Sequence, residues 1–181
     1  MTLGLDVQIK TDISSEPVSL DEMKLYLNVD NQYWDTLIYT LISSARTNLE
    51  RYTGCTFGTK TLVSTFQQVA SNIDIPYGPV QSITHVKSID DGGTKTTLTA
   101  GTDYLITGNN FKNIRFFGID TPIEIEYVAG YTSLPSDLKI AIMKQVAIDF
   151  QYRESTIEGS VTELSNSAKK TANTYRRILM Y

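Results

Sequence analysis

The chain has 181 residues, of which 41% are hydrophobic and 20% charged. That balance supports one domain with a packed core and excludes a wholly disordered chain. The net charge of −4 argues against a protein that grips nucleic acid through a basic surface, and no apolar run is long enough to cross a bilayer.

Residues 1–18 show no periodicity and end in Glu16-Pro17, which reads as an extended N-terminal arm. Ser19-Leu20-Asp21-Glu22 then has the form of a capping box and opens a short helix over 19–28. A second helix spans 30–53, capped by Asp30 or Asn31. Trp34, Leu37, Ile38, Leu41, Ile42, Ala45, Leu49 and Tyr52 form its apolar stripe at three- and four-residue steps, and Arg46, Thr47, Glu50 and Arg51 fall mainly off it. Gly54 is placed to end this helix.

From 59 to 128 the texture changes to short β-branched and aromatic runs, at 61–69, 80–89, 96–98, 104–106, 114–116 and 123–128. Turn residues separate them, such as Pro76-Tyr77-Gly78-Pro79 and Asp90-Asp91-Gly92-Gly93. A third helix follows Pro135 and runs to 153. It is apolar on two sides: Leu138, Ala141, Ile142 and Val146 on one, and Ile140, Met143, Ala147 and Phe150 on the other. A helix apolar on two sides is central or lies at a subunit contact. Residues 155–181 read as a polar linker and a last amphipathic segment. The fold class expected is therefore α+β: a bundle of long helices with an inserted small antiparallel β-sheet region and a C-terminal helical segment.

Little in this sequence supports catalysis. Cys55 is the one cysteine and His85 the one histidine, which leaves no intrachain disulfide, no cysteine zinc cluster and no two-histidine metal site. Asp90-Asp91-Gly92-Gly93 lacks the alternating oxygen ligands of a calcium loop and reads as a hairpin turn. Glu124 and Glu126 read as charges on the wet face of an alternating strand. There is no glycine-rich phosphate loop. No catalytic, metal or cofactor residue is expected. The MTLGLDVQIKTD start lacks the basic flank and apolar stretch of a secretory signal, so production in a cytoplasm is expected.

The order of segments resembles the head–tail connector (adaptor) proteins of tailed bacteriophages. The likeness is carried by Val18-Ser19-Leu20-Asp21-Glu22-Met23-Lys24-Leu25-Tyr26-Leu27, then Leu37-Ile38 through Ala45-Arg46, Glu50 and Tyr52-Thr53-Gly54. It continues in Pro79-Val80-Gln81-Ser82-Ile83, Asp103-Tyr104, Tyr127-Val128-Ala129-Gly130-Tyr131 and Leu134-Pro135-Ser136-Asp137-Leu138, and it covers about Glu16 to Glu154. The resemblance implies a connector domain at 19–154 and a structural, non-enzymatic role. The chain would form a closed ring matching a twelvefold portal in the virion neck, assembled in the host cytoplasm. Its partners would be itself, the portal protein and a stopper or tail-completion protein, with DNA passing through the channel without specific binding and no membrane contact. The competing readings are a small hydrolase using His85 and a generic cytoplasmic binding module.

Two sets of residues are singled out within this reading. Ile140, Met143, Ala147 and Phe150 are the expected subunit interface. The C-terminal segment is expected either to dock on the portal as a mobile basic helix, through Lys169, Lys170, Tyr175, Arg176, Arg177 and Leu179, or to pack on its own domain. Ala168, Ala172, Tyr175 and Leu179 would form its one apolar stripe.

Overall fold

The computed structural model describes residues 4–69, 71–152 and 164–177. These fall into two compact units. Residues 4–14 and 58–132 form a β unit, and residues 15–57, 133–152 and 164–177 form a helical unit.

Among the described residues the β unit contains eight strands, all paired antiparallel. A five-stranded sheet has the order β1 (Leu5–Thr11), β2 (Lys60–Phe66), β8 (Ile123–Ala129), β4 (Val80–Ile89), β5 (Lys95–Thr97). A three-stranded sheet has the order β3 (Asn72–Asp74), β7 (Asn113–Phe116), β6 (Tyr104–Thr107). Alternation decides which side each strand buries. Leu62 and Phe66 of β2, Ile123, Ile125 and Tyr127 of β8 and Val86 of β4 join Ile73, Tyr104, Ile114 and Phe116 of the second sheet in one buried cluster. Tyr127 brings a polar tip into this core and satisfies it, since its hydroxyl donates to the Pro76 carbonyl at 2.7 Å. The ends of the unit meet closely. A methyl group on Gly130 (φ +119°) would collide with the carbonyl oxygen of Gly58.

The helical unit contains α1 (Leu20–Leu27), α2 (Asp35–Thr53), α3 (Ser136–Gln151) and α4 (Asn166–Ala172), with a short 3-10 turn at Asn173–Tyr175. The expected capping box opens α1: the Ser19 side chain accepts from the Glu22 N–H, and Glu22 accepts in return from the Ser19 N–H at 2.9 Å. Gly54 ends α2 in the left-handed conformation. Met23, Ile38, Ile42, Ala45, Leu49, Leu138, Ala141, Ile142 and Val146 are fully buried and make the core. Among the described residues no helix is long and apolar enough to cross a membrane.

This architecture corrects the expectation of a bundle of long helices with a small β insertion. Among the described residues only α2 and α3 are long, at 19 and 16 residues, while α1 has 8 and α4 has 7. The β region is no minor insertion, because its two sheets bury a core of their own. Part of that sheet comes from the segment read as an arm. Leu5, Val7 and Ile9 alternate as β1 and pair along β2. The second helix also starts later than its sequence pattern indicates. Asn31 does not cap it but accepts from the Tyr33 N–H at 3.2 Å, and the helix begins at Asp35.

Candidate assembly and docking surfaces

The two sides of α3 have different fates. Leu138, Ala141, Ile142 and Val146 are wholly buried. On the other side Ile140 is 39% exposed, and Met143, Ala147 and Phe150 are half-buried. The Phe150 ring meets Trp34 edge-on at 5.7 Å, and Trp34 in turn meets Tyr33 at 4.6 Å. The helical unit covers this second stripe only partly. Tyr33, which reaches Phe150 through Trp34, is 82% exposed.

The C-terminal segment is folded onto its own unit. Ala168 and Ala172 are fully buried, and α4 packs against α3 and α2. Ser165 caps α4 by accepting from the Ala168 N–H at 3.2 Å. Its own N–H donates to Gln145 Oε1 at 2.8 Å, and Gln145 Nε2 donates to Asp149 Oδ1 at 2.8 Å. Burial pushes the Asp149 carboxyl above its ordinary pKa, with the Gln145 hydrogen bond opposing. Tyr175 places its hydroxyl 3.5 Å from Asp137, and burial followed by that carboxylate raises its pKa. Of the residues expected to dock, Lys170 and Arg176 are exposed, Lys169, Tyr175 and Arg177 are half-buried, and Leu179 lies outside the described residues.

The helical unit also holds a charge network that the sequence concealed. Arg46 is buried, not off the stripe. Its Nε donates to Glu16 at 2.7 Å and its Nη1 to Glu50 at 2.9 Å. The other Glu50 oxygen accepts from the Phe57 N–H at 2.7 Å. The spacing of Arg46 and Glu50, i and i+4, was the available signal, but it is equally that of a solvated helix pair.

In the β unit the alternation of β8 sends Glu124 and Glu126 to the outer face of the sheet. They are not wet there, with side chains 15% and 12% exposed. Lys10 of β1 reaches Glu126 at 2.7 Å, and Lys95 of β5 reaches Glu124 at 2.5 Å. His85 Nε2 stands 3.9 Å from each carboxylate. The Lys10 hydrogen bond holds Glu126 below its ordinary pKa against the effect of burial. This is a ladder of alternating charge in which the one histidine lies between two acids. Among the described residues no group of three or more acids, histidines and cysteines is placed to hold a metal ion. Cys55 is buried in the helical unit, with Sγ 3.5 Å from the Tyr175 carbonyl.

The family model described as head completion protein matches residues 16–180. The chain belongs to the head completion protein family. This head completion protein is thus a structural component of the head–tail connection of a phage-like particle, as the sequence resemblance implied. Its fold recurs in solved gene transfer agent particles. A chain in the neck of the empty particle, computed with C6 symmetry, superposes with a TM-score of 0.75 at 16% identity over 97% of both chains. A chain in the neck of the native particle, computed with C12 symmetry, gives 0.71 at 18% identity over the same shares. A chain of the native virion gives 0.71 at 16% identity, again over 97% of each. No curated protein matches the sequence.

Proposed function

We propose that this head completion protein is a ring-forming subunit of the particle neck, seated below the portal and receiving a stopper or tail-completion protein on its other side. The similar chains that stand in necks computed with C6 and C12 symmetry support a ring. The observation that carries the reading is the half-covered second stripe of α3. A closed ring needs a heterologous contact in which two different patches of one subunit meet their complements, and an apolar stripe left partly open is stabilised when a neighbour covers it. Ile140, Met143, Ala147 and Phe150 form one patch. Tyr33, exposed and joined to Phe150 through Trp34, continues it.

Ile140→Glu is the clean test, because the side chain is already 39% exposed and the charge need not disturb the core. The expected result by light scattering is a folded monomer where the unaltered chain forms rings. Rings that persist at the same concentration would remove this face from the interface. In the same reading the chain has no catalytic role, and DNA passes through the ring without specific contacts. His85→Gln should leave particle assembly unchanged. A folded variant that blocks assembly would overturn that part.

A further inference from the structure

Residues 164–177 contain four cations, Lys169, Lys170, Arg176 and Arg177, and no acid. They do not offer a partner an apolar stripe, since Ala168 and Ala172 are already buried within the helical unit. The segment is tied down along its length. The Ser165 N–H is held by Gln145, Tyr52 donates to Asn173 Oδ1 at 2.6 Å, and the Arg177 N–H donates to the Thr53 carbonyl at 2.8 Å. The Arg176 guanidinium lies 5.1 Å from the centroid of the Tyr52 ring, within cation–π range. Lys169 and Lys170 stand one helical turn before Asn173 and so border the same joint. Arg51, exposed on the last turn of α2, stands next to Tyr52 in the chain. Arg176 therefore packs on this fixed contact and Lys170 borders it, with Arg51 on the adjoining last turn of α2. Among the described residues Arg51, Lys170 and Arg176 enter no ion pair.

We infer that Arg51, Tyr52, Lys170 and Arg176 form a preassembled cationic platform that docks on an acidic, carboxylate-rich protein surface of the adjoining neck component. This rests on the neck reading proposed above and replaces a helix that folds on its partner with a surface already built. A segment ordered beforehand gives up little conformational entropy on binding, and arginine pairs with carboxylates in a two-pronged geometry. Charge supplies the orientation. The whole chain carries −4 and this segment +4, so the remainder carries −4 − 4 = −8. An acidic partner is repelled by that remainder and attracted at this patch, which selects one docking pose. The same imbalance favours a protein over DNA. The duplex is an evenly charged rod that extends past any small patch and meets the acidic remainder, whereas an acidic protein surface can be local.

The test uses the full chain with Arg51→Glu, Lys170→Glu and Arg176→Glu together, all at exposed positions. Ring formation is followed by light scattering, and attachment is followed with heads that carry a portal but lack this protein. Rings should form as before, while attachment weakens by about tenfold or more. Attachment of the unaltered chain should fall between about 50 and 300 mM NaCl, and that of the variant should not. The neutral Gln triple should fall in between. A charge-reversed variant that attaches normally overturns the inference. So does a finding that the unaltered chain binds a short DNA duplex through these residues and does not bind heads. If the unaltered chain neither forms rings nor attaches, the neck reading itself fails and the inference falls with it.

Discussion

The helical unit and the β unit each hold a network of charged side chains, in opposite surroundings. Glu16, Arg46 and Glu50 close on one another with side chains 5–8% exposed. Lys10, Glu126, His85, Glu124 and Lys95 lie across the outer face of a sheet, and the lysines at the two ends are 57% and 46% exposed. Sealed from water, the first network is held by strong attraction, and each member is there only because the others compensate its charge. Open at both ends, the second competes with water and salt for every contact. The first fixes two chain segments, at Glu16 and at Phe57, onto one face of α2. The second ties both edge strands, β1 and β5, to β8 with little energy at stake.

The largest expected effect breaks the sealed network. Arg46→Ala strands two buried carboxylates and should lower stability by about 3–5 kcal/mol, read from denaturant midpoints. The combination Glu16→Leu, Arg46→Met, Glu50→Gln removes the charges together and keeps an acceptor for the Phe57 N–H. It should lose much less than Arg46→Ala alone, and an equal loss would mean that packing, not stranded charge, sets the penalty. On the open ladder, Lys10→Ala should change stability by less than about 1 kcal/mol, and the difference should vanish near 1 M salt.

Acid sharpens the same contrast. Glu126 has a folded pKa below its ordinary value of 4.5, mainly through the Lys10 hydrogen bond. Its contribution is therefore complete above that ordinary value and is lost as pH falls through the depressed one. The unaltered chain should lose stability over that window more steeply than Lys10→Ala. The smallest effect concerns Asp149, whose folded pKa burial raises. Its contribution is present below the ordinary value and is lost as pH rises through the folded one. Asp149→Asn should thus raise Tm at neutral pH by on the order of 2 °C, a gain that fades in acid.

What the sequence made legible was local. The Ser19 capping box, the Gly54 stop and the two sides of α3 depend on residues within a turn or two of one another, and each appears in the structure. The Arg46 network was not legible, because its third member is 30 residues away and its fourth group is the backbone N–H of Phe57. Strand β1 was missed for a related reason. Leu5, Val7 and Ile9 do alternate, but a single short alternation acquires meaning only once β2 lies beside it. The stripe of Ala168 and Ala172, expected to fold against a partner or on its own domain, is buried within its own unit. That the cover came from its own unit depended on Gln145, Tyr52 and Thr53, all distant in sequence.

The close approach of Gly58 and Gly130 bears on how the chain folds as it is synthesised. Helices α1 and α2 leave the ribosome before residues 58–132, and α3 only after them. A flexible stretch of that length between α2 and α3 would make their pairing a long-loop closure, with the entropy such closures lose. Once the β unit has formed, its first and last backbone segments touch, and the distance along the chain no longer counts. α3 then meets α2 as though a tight turn joined them, and closing the helical unit costs the loop entropy of a far shorter connection.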